Sequence, residues 1–290
     1  MGWVSWRFAV VTLCLVLPGV AAGADLSLPG PAAEAIVKAP EPPEWIVTIG
    51  AEFRAVPVWQ GTPTTQYGFA GFPLVALQKP GEPPAFFGAR DGISVSLLDL
   101  GALQIGPDGK VIFPRYASQY SQLNGLGDVP WTVQIGGYVQ YWASPWLRLR
   151  GELRQGIGGE TGVTGDLFMD AVVPLGQWRV SGGPRVTLES AGAISPYFGI
   201  TAAQAAAANA AQPGLGALTA YNASGGLYSY GAGGQLEYFL NRQWSTHGII
   251  EYDRISGSAA NSPLVTMRGS PNQFIFGAGA TYTFAMHPMW

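Results

Sequence analysis

The sequence predicts an all-β protein, a transmembrane up-and-down antiparallel β-barrel of about 12 strands. Two observations predict this class. The chain is 48% hydrophobic and only 11% charged, whereas soluble domains carry about 25% charged residues. Apolar and polar residues also alternate over segments of about ten residues, which is the strand length that a tilted barrel wall requires. The small formal net charge of -3 gives no support for nucleic-acid binding.

The first 24 residues are typical of an export signal. Arg7 supplies a positive charge, residues 8–20 form an apolar run, and Ala22-Gly23-Ala24 provides small residues for cleavage. This run is shorter than the roughly 20 residues that a spanning helix needs. Cys14 is the only cysteine of the chain and lies within the signal. The processed chain would therefore have no thiol for a disulfide, a metal site or a nucleophile.

The remaining chain divides into two predicted parts. Residues 25–44 are rich in proline and alanine and predict an extended periplasmic tail. Residues 45–290 predict the outer-membrane β-barrel, in which every backbone hydrogen bond is made between neighbouring strands. Predicted strands span residues 45–56, 67–78, 86–90, 93–98, 103–113, 131–141, 146–154, 166–175, 178–189, 228–240, 244–255 and 272–284. Glycines and prolines before residue 115 leave ten strands as an alternative.

The last predicted strand illustrates why one face should meet lipid. Phe274, Phe276 and Tyr282 fall on one face, and Gln273 and Thr281 fall on the other. In a membrane barrel the apolar face contacts lipid and the small polar face lines the lumen. A soluble sheet can produce the same alternation, so the prediction depends on its repetition along the whole chain.

The same alternation assigns a set of charged residues to the lumen. The candidate lumen-lining residues are Glu52, Arg54, Arg148, Arg150, Glu152, Arg154, Asp166, Asp170, Arg179, Arg185, Glu189, Glu237, His247, Glu251 and Asp253. These charges could make a pore selective. Alternatively, because their signs are mixed and nearly balanced, they could form a ladder of ion pairs that fills a narrow lumen. The second interpretation is favoured by the balance of signs.

Aromatic residues cluster near the predicted strand ends. The candidate aromatic girdle comprises Trp45, Trp131, Tyr141, Trp146, Trp178, Trp244, Tyr252 and Tyr282. Such rings suit the headgroup region, which satisfies both an apolar body and a polar edge. The alternative is ordinary core packing in a soluble sandwich. The export signal and the scarcity of charge favour the girdle.

Loop lengths predict the orientation of the barrel. Long connections at residues 115–129, 190–226 and 256–271 alternate with short turns. Barrels of this kind have short periplasmic turns and longer external loops. An alanine-rich stretch at 202–211 favours a helix in one long loop. That helix would either cap the barrel mouth or offer a contact site.

Two stretches of the C-terminal third carry a family resemblance. The first is Tyr197-Phe198-Gly199-Ile200-Thr201-Ala202-Ala203-Gln204-Ala205, followed by Leu218, Tyr221 and Gly226-Leu227; the second is Gly257-Ser258-Ala259-Ala260-Asn261-Ser262-Pro263-Leu264-Val265, followed by Arg268-Gly269-Ser270 and Asn272-Gln273-Phe274. Both resemble external-loop motifs of the MipA/OmpV family of outer-membrane proteins, the MltA-interacting scaffolds. Ser258 and Asn261 stand where that family often has aspartates, which weakens the case for a cation held by this loop.

The resemblance implies a location in the outer membrane of a Gram-negative bacterium. It also implies a scaffold that brings a murein transglycosylase close to a peptidoglycan synthase, with outer-membrane lipid as the surroundings. The alternative to a scaffold is a passive channel for small solutes. No cofactor is expected.

The residues offer little support for catalysis. His247 is predicted to face inward with Ser245, Glu251 and Asp253, and a triad would need a serine nucleophile beside the histidine. A histidine within a polar lumen network is the favoured interpretation. His287 follows the last strand and is too far along the chain from His247 to predict a metal site. The chain is therefore predicted not to be an enzyme.

Overall fold

The computed structural model describes residues 45–64, 66–78, 86, 88 and 90–286. These described residues contain twelve strands: β1 (Trp45–Pro57), β2 (Tyr67–Gln78), β3 (Ile93–Ser94), β4 (Leu98–Asp99), β5 (Leu103–Ile112), β6 (Thr132–Ser144), β7 (Leu147–Gly158), β8 (Val163–Leu175), β9 (Trp178–Glu189), β10 (Gly226–Phe239), β11 (Trp244–Ile255) and β12 (Asn272–Met286). The helices are α1 (Ala191–Phe198), α2 (Ala202–Ala211), α3 (Gly257–Ala260) and α4 (Pro263–Arg268), with single 3-10 turns at Ala117–Gln119 and Ser121–Leu123. The prediction of an antiparallel barrel of about 12 strands is confirmed.

The strands follow the alternation of their side chains. Along β7, Arg148, Arg150 and Arg154 are buried, whereas Leu149 and Leu153 are exposed. Successive side chains of a strand point to opposite faces of the sheet. The polar face of the wall is therefore the buried one, and the apolar face points outward. This inversion of the usual burial pattern is what a wall surrounded by lipid requires.

The wall is one sheet in the order β2-β1-β12-β11-β10-β9-β8-β7-β6-β5-β3. First and last strands of the chain meet because β1 pairs with β12 in an antiparallel register from Trp45↔Met286 to Ala55↔Phe276. The short connections at residues 145–146, 176–177 and 240–243 lie at one end of the wall, here called the turn end. The long connections lie at the opposite end, called the loop end.

Between β2 and β5 the chain departs from a simple up-and-down wall. The path of eleven strands contains ten antiparallel pairings, so β2 and β3 run in the same direction. Both β3 and β4 pair with β5, as two pieces of one interrupted strand. No backbone hydrogen bond joins β2 to β3 among the residues that the structure describes. The ring of Phe72 in β2 meets that of Phe113, just after β5, with centroids 5.7 Å apart.

Two predicted strands of this region require correction. Residues 86–90 were expected to form a strand, but Phe86 and Gly88 have no regular structure and Arg90 lies in a turn. Residues 93–98 were expected to form one strand, whereas the described strands are Ile93–Ser94 and Leu98–Asp99. The physical reason is that Arg90 and Asp91 both bind partners inside the barrel, and two adjacent residues of a strand cannot both face inward.

Several predictions lie outside the described residues: the signal at 1–24, the tail at 25–44, and His287 with the remainder of the C-terminal extension. Among the residues that are described, no helix is long and apolar enough to cross a membrane.

Close approach of strands makes one wall glycine sensitive to substitution. A Cβ built on Gly136 of β6 would lie 1.9 Å from the backbone oxygen of Leu153 in β7. We expect Gly136→Val to lower the free energy of unfolding by about 1–3 kcal/mol, the usual cost of overpacking. Urea unfolding in detergent, followed by tryptophan fluorescence, measures this change. Gly248→Ala is the matched control, because its Cβ would make only an ordinary contact at 3.8 Å.

Candidate functional site

The interior of the barrel contains a network of ion pairs centred on β7. Arg154 is fully buried and contacts Asp108 at 2.8 Å, and it also pairs with Glu152 and Asp166. Its Nε donates to the side-chain oxygen of Gln134 at 3.1 Å. One guanidinium thus forms ion pairs with three carboxylates, from β5, β7 and β8. Burial of these charges is tolerable because each is paired and hydrogen-bonded.

The two other arginines of β7 extend the network toward the turn end. Arg148 donates to Gln140 at 2.7 Å and pairs with Asp170 at 2.9 Å. Arg150 pairs with Glu152 at 2.6 Å, and its guanidinium lies 4.0 Å above the ring of Tyr138. These planar groups form several directed bonds at once, which an ammonium could not do in the same geometry.

Phe86, Gly88 and residues 90–92, here called the luminal segment, lie in the interior of the barrel. Near the turn end, the ring of Phe86 lies 5.0 Å from the guanidinium of Arg148 and 5.4 Å from that of Arg179. Nearer the loop end, Arg90 pairs with Asp253 of β11 at 2.8 Å. The backbone N–H of Gly92 donates to Glu152 at 3.2 Å. The luminal segment therefore contacts strands on separate parts of the wall.

Adjacent residues of the luminal segment bind groups of opposite charge. Asp91 pairs with Arg148 at 2.5 Å and lies 3.9 Å from Arg150. Arg90 donates to Thr187 of β9 at 3.2 Å and lies 3.8 Å from Asp166. The lumen is thus basic along β7, while Asp166 of β8 and Asp253 of β11 form an acidic side that faces Arg90. Arg90 and Asp91 join these two sides through charge-assisted bonds.

A second set of pairs lines β1 and β9 to β11. Glu52 accepts from Arg54 and contacts Nε2 of His247 at 2.7 Å. Further pairs join Arg179 to Glu237 at 2.5 Å and Arg185 to Asp170 at 2.5 Å. All of the sequence-predicted lumen residues named in these pairs lie on the buried face of the wall.

His247 is not arranged with Ser245 as a base and a nucleophile. The Ser245 hydroxyl bonds to Glu237 and Thr281, both at 2.7 Å, while His247 contacts Glu52. Among the described residues, no group of three or more His, Cys, Asp or Glu side chains could hold a metal ion.

Neither oxygen of the Glu251 carboxylate has a hydrogen-bond partner among the described residues, although both oxygens are buried. Its side chain is 2% exposed. On the same face of β11, Asp253 pairs with Arg90 through Oδ2, and its Oδ1 has no partner in the described part of the chain. Glu189 ends β9 at the loop end of the same acidic side.

The candidate lumen residues chosen from the sequence do not include several members of the interior network: Arg90, Asp91, Asp108, Lys110 and Glu160. The sequence could have identified two of them, because Asp108 and Lys110 alternate with outward residues in the predicted strand 103–113 and therefore fall on its inward face. The evidence for Arg90 and Asp91 was weaker. Two adjacent charged residues do not fit a wall strand, because one of them would face lipid.

The predicted girdle residues lie near the two ends of the wall. Trp45, Tyr141, Trp146, Trp178, Trp244 and Tyr282 are near the turn end, and Trp131 and Tyr252 are near the loop end. Neighbouring rings contact each other, with centroids 4.6 Å apart for Trp178 and Tyr238 and 4.8 Å for Trp244 and Tyr282. Trp146 is about half exposed, as a headgroup-level ring should be.

The loops at the loop end pack into a folded cap. One hydrophobic cluster combines Trp59, Leu123, Ala208 and Leu264 from four separate connections. The alanine-rich helix expected at 202–211 is confirmed as α2, which begins with a capping box between Thr201 and Gln204. We call the connections at residues 58–66, 113–131, 190–225 and 256–271 the loop cap.

Two buried arginines tie the loop cap together. Arg115 donates to the backbone oxygens of Tyr197 at 2.7 Å and Pro196 at 3.2 Å. Burial lowers the pKa of its guanidinium to about 10, so the group is still charged at neutral pH. Arg268 donates to the backbone oxygens of Gly216 at 2.8 Å and Gln122 at 3.2 Å. Each arginine thus satisfies carbonyls of a loop far away in the sequence.

Loss of Arg268 should loosen the loop cap without unfolding the wall. We expect Arg268→Met to weaken the cap by about 1.5–3 kcal/mol, the range for hydrogen bonds to charged groups. Limited proteolysis of the folded protein should then cleave residues 190–225 faster. Arg254→Met is the matched control, because Arg254 is exposed and contacts only the neighbouring Asn272 among the hydrogen bonds described. Equal cleavage rates for both variants would contradict this role.

The apolar outer face, the charged interior and the closure of β1 on β12 define the class of protein: an outer-membrane β-barrel of a Gram-negative bacterium. Comparison with protein families then matches residues 49–284 to the family described as MltA-interacting protein MipA. The chain belongs to this family. The resemblance seen in its external loops is therefore confirmed over most of the chain.

Comparison with solved structures finds distant barrels, two of which are described here. An outer membrane channel from Pseudomonas putida F1 matches at 12% identity and a TM-score of 0.41, covering 89% of this chain and all of that one. The outer membrane protein OprG from Pseudomonas aeruginosa matches at 11% identity and a TM-score of 0.26, covering 84% of this chain and 97% of that one. Both are too distant to bear on the function. No curated protein matches the chain.

Proposed function

We propose that this protein is an outer-membrane scaffold that holds a murein transglycosylase near peptidoglycan synthesis and does not conduct solutes. One observation carries the proposal: the luminal segment lies in the barrel interior and is anchored on both sides. Arg90 binds Asp253, while Asp91 binds Arg148. A barrel whose interior is occupied in this way suits an anchor better than a passage.

The family description supports the partner, since that family is named for its interaction with MltA. A murein enzyme works in the periplasm, which short turns of such barrels face. The turn end, with the short connections at 145–146, 176–177 and 240–243, is therefore the proposed side of contact. The proline- and alanine-rich residues 25–44 precede β1, whose first residue, Trp45, pairs with Met286 at this same end.

A planar-bilayer recording tests the filled lumen. We expect the purified protein to insert without producing stable conductance steps. Stable, reproducible steps would contradict the proposal and favour the second candidate, a small-solute channel. One observation favours that second candidate, namely the buried carboxylate of Glu251, which has no hydrogen-bond partner among the described residues.

Co-purification tests the scaffold itself. We expect a murein transglycosylase to be retained by the immobilised protein, and retention to be lost when residues 25–44 are deleted. The matched control deletes external residues 213–217, which join α2 to Leu218 in the loop cap, and should leave retention unchanged. Full retention after deletion of 25–44 would refute that tail as the contact.

A further inference from the structure

The acidic side of the lumen contains a carboxylate that nothing in the described structure neutralises directly. Glu251 is 2% exposed, and both of its oxygens lack a hydrogen-bond partner in the described part of the chain. Arg90, Arg185 and Arg54 attract it electrostatically, but no ion pair to Glu251 is formed among the described residues. A buried charge without a partner costs several kcal/mol. The position is therefore suited to a cation from outside the chain.

Glycines of the neighbouring strand make room for this carboxylate. Gly233 and Gly231 of β10 stand opposite Glu251 and Asp253 in the sheet register. A Cβ added at Gly233 would lie 2.9 Å from Oε1 of Glu251, and one at Gly231 would lie 2.7 Å from Oδ1 of Asp253. Any larger residue would displace these oxygens. Oε1 of Glu251 and Oδ1 of Asp253 thus lie next to backbone positions at which only glycine leaves them room.

The chain itself supplies an example of the group that fits here. Arg90 reaches Asp253 at 2.8 Å and lies 3.8 Å from Asp166. Its guanidinium is held by carboxylates of β8 and β11, and by the hydroxyl of Thr187. Glu189, at the loop end of β9, adds another carboxylate on the same side. The positively charged group already held beside Glu251 is therefore a guanidinium, that of Arg90.

A metal ion is less suited to the same place. No group of three or more acidic, histidine or cysteine side chains among the described residues is arranged to hold one. Hard cations such as Ca²⁺ require six to eight oxygen ligands. An ammonium or guanidinium instead needs two or three acceptors, which the free oxygens of Glu251 and Asp253 provide.

We propose that Glu251 and Asp253 form a binding site for an organic cation, a solute that carries an ammonium or guanidinium group. Glu251 binds the charged nitrogen through both oxygens, and Asp253 shares its free Oδ1. Arg90 competes for Asp253 from the other side. Glu189 lies nearer the loop end and adds a third carboxylate on this side of the lumen.

Isothermal titration of the purified full chain with putrescine tests the site. Saturable binding is expected, and none with 1,4-butanediol, which has the same length without charge. Glu251→Gln should weaken putrescine binding about tenfold or more, because a charge-assisted bond is lost. Arg90→Gln should instead strengthen binding, because Asp253 is freed. If these residues had a purely structural role, one substitution would not weaken putrescine binding while the other strengthens it.

Matched controls separate the site from general charge effects. Asp128→Asn removes one negative charge from an exposed loop residue and should leave binding unchanged. Asp253→Asn gives a second variant of the site, and the shift of the folded band on unheated gels verifies that each variant is folded. Absence of putrescine binding, undiminished binding in folded Glu251→Gln, or saturable binding of Ca²⁺ in place of putrescine would each overturn the proposal. These results are independent of whether the protein retains a transglycosylase.

Discussion

Replacement of Arg154 by methionine is expected to lower the free energy of unfolding by about 3–5 kcal/mol, the cost of removing one partner from a buried ion pair. The guanidinium is fully buried and pairs with Asp108, Glu152 and Asp166. Methionine would fill similar space but leave three carboxylates without their shared cation. Urea unfolding in phospholipid vesicles, followed by tryptophan fluorescence, measures the loss.

Two further variants show whether charge is the cause. Arg254→Met changes an exposed arginine and should shift the unfolding free energy by less than about 0.5 kcal/mol, as surface substitutions usually do. Adding Asp166→Asn to Arg154→Met should restore part of the stability, because one unpaired charge is removed while the bond from Thr187 can persist. If Arg254→Met lowered the free energy of unfolding as much as Arg154→Met, the interior network would contribute no more to stability than an exposed arginine.

Simultaneous substitution of Arg90 and Asp91 by alanine is expected to convert a silent barrel into a conducting one. Both anchors of the luminal segment would be lost, since Arg90 holds Asp253 and Asp91 holds Arg148. The freed charges on both sides of the lumen would favour water and ions between them. Planar-bilayer recording should then detect conductance steps that the unaltered protein lacks.

The conservative variant Arg90→Lys/Asp91→Glu is the matched control. It keeps both charges and should remain silent or nearly so, although lysine cannot reproduce every bond of the planar guanidinium. A folded double-alanine variant that stays silent would show that the luminal segment does not close the lumen. The unheated-gel shift again distinguishes a closed barrel from an unfolded chain.

The strands of the C-terminal two thirds could be predicted because their signal is local. In β7, inward arginines alternate with outward leucines, and the period of two identifies both faces without knowledge of the neighbours. Turn and loop lengths likewise gave the up-and-down order of β5 to β12. The helix α2 followed from its run of alanines.

Between Gln78 and Leu103 the local signal was misleading. Phe86 and Arg90 have the alternation of a short strand, yet they lie in the luminal segment. Their positions depend on partners more than 50 residues away, such as Asp253 for Arg90 and Arg148 for Asp91. Periodicity carries no information about such distant pairs.

The sequence by itself determined the class of barrel, the two faces of its wall, the ends at which loops and turns gather, and the family. Only the tertiary structure decided which charges pair, that β2 and β3 run in the same direction, and that Glu251 is left without a partner. The physical reason is that side-chain alternation is a property of each strand alone, whereas ion pairing depends on the register of all the strands around the wall.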